Sequence, residues 1–90
     1  MREIVVSQSF LRDVKHLKQK HYDMSLLAAA QRTLRANDRM LLSSKYKDHQ
    51  LKGNLREFRE LHIQGDWLLV YRVDGARIIL ARTGTHDGLL

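Results

Sequence analysis

Residues 56–83 read REFRELHIQGDWLLVYRVDGARIILART. Gln64-Gly65-Asp66 and Asp74-Gly75-Ala76 are hairpin connectors, because glycine accepts the positive φ that tight turns demand. They divide the stretch into three strands, predicted at Arg56–Ile63, Trp67–Val73 and Arg77–Thr83. In the first, Leu61 and Ile63 share one face while Phe58, Glu60 and His62 share the other. Trp67-Leu68-Leu69-Val70-Tyr71 is almost continuously apolar, the pattern of a central strand covered on both faces.

Upstream the period changes. Ile4-Val5-Val6 is short and β-branched, so it reads as a strand, and Ser7 and Ser9 offer a helix start. Phe10, Val14 and Leu17 recur at helical spacing and predict an amphipathic helix through about Lys20. Its other face carries Arg12, Lys15 and Lys18. That row is either a solvated face or a surface for RNA phosphates, a ribosome or an acidic partner. Asp23 can cap a second helix lined by Leu27, Ala30 and Leu34, which ends between Ala36 and Leu42. Residues 43–54 are polar and basic and end in Gly53-Asn54, so they read as a long loop. The expected order is β-α-α-β-β-β over a single domain, 1–90: an α+β fold with two N-terminal helices on one side of a mainly antiparallel sheet.

Composition narrows the chemistry. The chain has 90 residues, 43% of them hydrophobic, enough for a packed core. It has no cysteine, which removes disulfides, thiolate metal sites and a cysteine nucleophile. Nothing in it approaches the roughly 20 apolar residues of a membrane span. The first residues do not resemble a secretory signal, so a cytoplasmic protein without membrane attachment is expected. Lys and Arg number 16 against 10 Asp and Glu, a net charge of +6. Residues 1–50 contribute ten basic and five acidic side chains, residues 51–90 six and five. Such a field attracts polyanions: nucleic acid, an acidic protein or an anionic membrane.

Five histidines invite a metal, but none of the short His or Cys spacings of zinc motifs occurs, so no metal and no cofactor are expected. The placement of the later histidines carries more. His49 lies in the basic loop with Lys45, Lys47 and Lys52. His62 is near a strand end, Asp66 and Trp67 follow at the hairpin, and His86 comes after the last strand. Imidazole transfers protons near neutral pH, and RNA supplies its own nucleophile, the 2′-hydroxyl. Two imidazoles, a carboxylate and an arginine such as Arg82 suffice for phosphodiester cleavage without metal. The bland reading stands beside this one: a single histidine is more often a surface residue, Trp67 fits a core, and Arg82 fits a structural ion pair.

Tyr46-Lys47-Asp48-His49-Gln50-Leu51-Lys52-Gly53, the run Arg59 to Tyr71, and Arg82-Thr83-Gly84-Thr85-His86 resemble the YafQ-type toxins of the RelE superfamily. The likeness reaches Ser9 to Lys15 as well and covers nearly the whole chain. It implies a type II toxin: a ribosome-dependent endoribonuclease that cuts mRNA in the small-subunit decoding site. It implies neutralisation by a cognate antitoxin and, through that antitoxin, contact with operator DNA. Carried over, the catalytic set is His49, His62, Asp66 and His86. RNA would be held by Trp67, Arg82, Lys45, Lys47, Lys52 and Leu90, the last standing where the family often has an aromatic residue. The alternatives within the resemblance are a non-nuclease toxin of the same fold, of the gyrase-inhibiting kind, and an antitoxin-bound transcriptional corepressor.

Overall fold

The computed structural model describes residues 2–89. Strand β1 (Glu3–Val6) leads into helices α1 (Gln8–Gln19), α2 (Met24–Ala36) and α3 (Arg39–Ser44). Strands β2 (His49–Gln50), β3 (Arg59–Gln64), β4 (Trp67–Asp74) and β5 (Arg77–Thr85) follow, and α4 (His86–Leu89) closes the order. The sheet runs β1-β5-β4-β3-β2, with β1 parallel to β5 and the other three pairings antiparallel. No helix among the described residues is long and apolar enough to cross a membrane.

Local chemistry explains the helices. Ser7 caps α1 by accepting a hydrogen bond from the Phe10 N–H, and its own hydroxyl donates to the Ala81 carbonyl. Asp23 caps α2 at the Ser25 N–H. Asn37, in the left-handed conformation at φ 54°, ends α2 at Ala36. Asp38 then caps α3 through the Leu41 N–H.

One face of the sheet carries the core. Phe10 and Leu17 of α1, Leu27, Ala30 and Leu34 of α2 and Leu42 of α3 pack with Leu61, Trp67, Leu69, Tyr71, Ile78 and Leu80. Each fully buried leucine contributes about 1.5–3 kcal/mol relative to exposure. The central-strand reading of β4 holds, since Trp67 through Tyr71 are all buried.

The segment 43–54 departs from the expected loop. Its first residues finish α3, Tyr46 is buried in the core, His49 and Gln50 pair with β3, and Gly53–Leu55 forms a 3₁₀ turn. Backbone bonds far apart in sequence hold it: the Asp48 N–H donates to the Leu42 carbonyl at 2.9 Å, and the His62 N–H to the Tyr46 carbonyl at 2.7 Å. A period-based reading misses such pairing because a two-residue strand has no period.

Candidate active site

The face of the sheet away from α1–α3 is where the candidate residues gather, and the strand register puts them there. His49 stands opposite Glu60, Glu60 opposite Val70, and Val70 opposite Arg82. The next row runs His62, Leu68, Gly84. Cross-strand partners point to one face, so His49, Glu60, Val70 and Arg82 form one line and His62, Leu68 and Gly84 a second. A bulge in β5 makes this possible. Tyr71 pairs with Leu80 but Val70 pairs with Arg82, so Ala81 is an extra residue that turns Arg82 away from the core face.

Two imidazoles meet at a carboxylate. His49 Nε2 lies 3.2 Å from Glu60 Oε1 and His62 Nε2 lies 3.9 Å from the same oxygen. The two rings are 6.0 Å apart at their centroids. Glu60 is 6% exposed, and its second oxygen, Oε2, is buried without a hydrogen-bond partner. An unpaired buried carboxylate oxygen costs free energy, so its retention points to a task outside the resting fold. His49 Nδ1 lies 2.9 Å from the Lys47 carbonyl. A carbonyl only accepts, so Nδ1 carries the proton. Nε2 is then the His49 nitrogen that faces the Glu60 carboxylate. His62 has no such constraint: its Nε2 is beyond hydrogen-bond reach of Glu60.

Glu60 was not singled out from the sequence, although its signal was there. Strand alternation puts it on the face of His62, and a carboxylate buried in a strand is costly unless something answers its charge.

The segment bearing His49 is anchored through the preceding residue. The Asp48 carboxylate is fully buried; it accepts from the Tyr71 hydroxyl, from Arg59 Nη2 at 3.0 Å and from Arg39 Nη2 at 3.0 Å. That pairing raises the Arg59 pKa above its ordinary value, with the Asp48 hydrogen bond as the main cause. Burial, reinforced by the neighbouring Asp48 charge, pushes the Tyr71 phenol up to about 12. Lys47, beside them, takes the left-handed conformation at φ 54°. Lys45, Lys47 and Lys52 are all exposed, and the Lys45 ammonium stands 5.4 Å over the Tyr46 ring.

Asp66 and His86 occupy the far end of the same face. The His86 N–H donates to the Asp66 carbonyl at 3.1 Å, tying the start of α4 to the β3–β4 turn. The His86 ring is mostly exposed, and its nearest charged neighbour is Asp87 at 3.9 Å. His62 and Gly84 are separated by one strand, about 10 Å at ordinary strand spacing, so His86, two residues beyond Gly84, comes within reach of a nucleotide lying on the His62 row. The imidazoles of His49 and His62 stand together, and His86 is joined to this end of the sheet by its backbone bond to Asp66. The same face carries an apolar groove of about 220 Å³ lined by Leu51, Leu55, Phe58, Val70, Arg82 and Leu89.

Two expectations need correction. Trp67 is 2% exposed, donates its indole N–H to Thr83 Oγ1 at 2.9 Å and meets the Tyr22 ring edge-on at 5.1 Å. It is a core residue and has no face for an RNA base; apolar positions on either side of a central strand are both buried, so type alone could not sort it. Arg82 is not simply a free phosphate ligand. Its Nε and Nη2 form a forked pair with Asp13 at 2.7 and 3.1 Å, which raises its pKa, chiefly through the hydrogen bonds. Asp13 also accepts from the Thr83 N–H. The guanidinium is therefore held by α1 at the rim of the groove. Leu90 lies outside the described residues.

Comparison with known proteins agrees with this geometry. Residues 2–90 match the family described as "Bacterial toxin of type II toxin-antitoxin system, YafQ". The chain is 36% identical over 88 residues to the mRNA interferase toxin YafQ of Escherichia coli K12, covering 98% of this chain and 95% of that one. Among solved structures, YafQ in the E. coli DinJ–YafQ toxin–antitoxin complex superposes with a TM-score of 0.86 at 35% identity, over 99% and 97% of the two chains. A copper-bound mutant toxin from Helicobacter pylori superposes with a TM-score of 0.90 at 37% identity, over all of both chains. The chain belongs to the YafQ family of type II toxin–antitoxin toxins.

Proposed function

We propose that this protein is a ribosome-dependent endoribonuclease that cuts mRNA by acid–base transfer around the 2′-hydroxyl. The observation that carries the reading is the His49–Glu60–His62 cluster on the open sheet face, with His86 tied by its backbone to the β3–β4 turn. The E. coli relative named an mRNA interferase, 36% identical, supports it.

The chain's own groups suffice for the step. His62, whose Nε2 is not tied to Glu60, accepts the proton of the 2′-hydroxyl. The freed 2′-oxygen bonds to phosphorus while the bond from phosphorus to the 5′-oxygen breaks. His86 gives a proton to that leaving oxygen, and the products are a 2′,3′-cyclic phosphate and a 5′-hydroxyl. His49, positioned beside Glu60 and bonded to the Lys47 carbonyl, stabilises in its protonated form the charge that builds on the phosphorane. Arg82 adds to it from the rim. Asp66 fixes the start of α4 through its carbonyl, a positioning role. Lys45, Lys47 and Lys52 gather phosphate along the entrance. The apolar groove suits a base in place of the stacking first expected of Trp67.

The partner reading follows from charge and likeness. A +6 protein suits an acidic, flexible antitoxin segment laid over its cationic surface, and the E. coli relative has been solved with DinJ. Through that partner the pair would act at its own operator. Its place of work is the cytoplasm, where ribosomes translate.

The deciding experiment maps 3′ ends in an mRNA translated with the protein. Wild type should give discrete cuts ending in cyclic phosphate, and His62→Gln should lower cleavage by roughly 10²–10⁴-fold. Uncut message with wild type, or full cleavage by His62→Gln, would sink the mechanism. A parallel supercoiling assay reads the gyrase-directed alternative.

A further inference from the structure

Helix α1 has a second cationic face, different from the row Arg12, Lys15, Lys18. Arg12, His16 and Lys20 stand four residues apart and share one side of the helix and its cap. They line a cavity of about 370 Å³ between α1 and the β5–α4 junction, whose other walls include Tyr22, Thr85 and Arg82. Lys15, Lys18 and His21 do not line it. We propose that this cavity binds a nucleotide of the RNA strand being cut, one lying beyond the apolar groove. Its phosphate would sit on Arg12, His16 and Lys20, and its base and sugar against Tyr22 and Thr85.

Charge selects an anion. Among the described residues α1 makes one ion pair, Asp13 with Arg82, so Arg12, His16 and Lys20 face the cavity with no carboxylate in contact. Arg12 Nη2 reaches Ser9 Oγ at 3.2 Å, a neutral partner that leaves its charge available. Asp13 also lines the cavity, but Arg82 already matches it, and Arg12 and Lys20 remain in excess. Cations that face a cleft concentrate phosphate there.

The rest of the lining suits a nucleotide. Clefts for small ligands run from about 300 to 1,000 Å³, so 370 Å³ admits one nucleotide unit. Tyr22 is half-buried and set against Trp67, with ring centroids 5.1 Å apart, so its ring is held while it lines the cavity. Aromatic rings are platforms for unpaired bases. The hydroxyls of Tyr22 and Thr85 can hydrogen-bond a ribose or a base edge.

Continuity with the groove favours the RNA strand over an acidic protein segment. Arg82 and Leu89 line both the cavity and the apolar groove and form the wall between them. Asp13 holds Arg82 by Nε and Nη2, and the side chain is 44% exposed, so the guanidinium keeps a donor for a phosphate crossing that wall. A strand with one base in the groove has a neighbouring nucleotide over the cavity. An acidic peptide would match the charge but has no use for an aromatic platform. RNA as the occupant rests on the proposed function; binding needs no cleavage, so the two can fail separately.

The test titrates the whole wild-type chain, labelled with ¹⁵N in histidine and ¹³C in tyrosine, with a hexauridylate of 2′-O-methyl RNA. That strand cannot be cut, because its 2′-oxygen is blocked. Signals of the His16 ring and of Tyr22 should shift saturably while the His21 ring, outside the cavity, stays. Shifts that leave His16 and Tyr22 in place, or that move His21 as far, overturn the site. Hexaglutamate at the same concentration should perturb them less; an equal response overturns RNA as the occupant. Paired substitutions then separate a site from a general field. Arg12→Gln and Lys20→Gln should each flatten the slope of log affinity against log salt by about 0.7, the share of one phosphate contact on a single strand. Lys15→Gln and Lys18→Gln remove the same charge from the same helix outside the cavity and should leave that slope as it is. Equal flattening in all four overturns the site. Message cut by wild type, with no distinction among the four variants, would sink the cavity and leave the nuclease standing. Shifted His16 and Tyr22 signals from a protein that cuts no message would do the reverse.

Discussion

His49, Glu60 and His62 stand on paired strands, while His86 stands where β5 gives way to a four-residue helix. The first group is fixed by sheet register, by a carboxylate shared between rings and, through Asp48, by buried bonds to Tyr71 and Arg59. The second is tied to Asp66 by a backbone bond, and among the described residues its ring meets a charged partner only at 3.9 Å. A preorganised charge cluster lowers the cost of stabilising the phosphorane, whereas an acid that must meet a leaving oxygen can be aligned by the substrate itself. The contrast teaches that mutations at the two ends should separate: one end couples activity to stability, the other does not.

The largest effect should come at the exposed end. His86→Ala is expected to lower cleavage by roughly 10²–10⁴-fold while leaving the thermal midpoint unchanged, since the ring is 62% exposed and buries little. Parallel melts and 3′-end mapping check it; a large drop in the midpoint would erase the distinction between the two ends.

At the sheet-borne end, Asp48→Ala removes a carboxylate with three partners, none of it exposed. Leaving Arg59 and the Tyr71 hydroxyl without it should cost about 3 kcal/mol in urea unfolding, and cleavage should fall with it as the His49 segment loosens. Normal stability with lost activity would make Asp48 part of the chemistry instead of its foundation.

The smallest effect sharpens the same anchor from the alkaline side. Tyr71 titrates near 12 in the folded protein against about 10 unfolded. The folded state therefore holds the phenolic proton more tightly, and this contribution is complete below pH 10 and lost as pH rises to about 12. The loss is on the order of 2–3 kcal/mol. Tyr71→Phe has no phenol to titrate, so the stability gap between wild type and variant should narrow over that range when both are followed by urea midpoints. Parallel pH profiles would show that Asp48 and Tyr71 are not coupled.

Much of this was legible in the chain. Gly65 and Gly75 lie in their turns at φ 59° and 60°; β4 and β5 begin where the apolar pattern put them, β5 running two residues further, while β3 begins at Arg59, three residues later than expected. His49 and His62 do come together, their rings 6.0 Å apart. What stayed hidden depends on contacts between distant residues. The strand at His49 exists because Glu60 is opposite it, and α3 separates from α2 at the left-handed Asn37. Glu60 became visible as a site residue only once two imidazoles were placed around it. The RNA contacts expected of Trp67 and Arg82 came from the family resemblance, and the residues alone left a core and an ion-pair reading open; one is claimed by Thr83 and Tyr22, the other by Asp13.

The extra residue at Ala81 decides which side of the sheet the rest of β5 serves. Leu80 and Thr83 both turn toward the helices although three positions separate them, and Arg82 is turned the opposite way. Were Ala81 ironed into the ladder as an ordinary strand residue, strict alternation would set it opposite Val70 and Arg82 opposite Leu69, driving a guanidinium toward the indole and expelling the threonine that satisfies it. Removing Ala81 outright would leave both faces as they are, so a gap of one is tolerable here where a straightened strand of the same length is not.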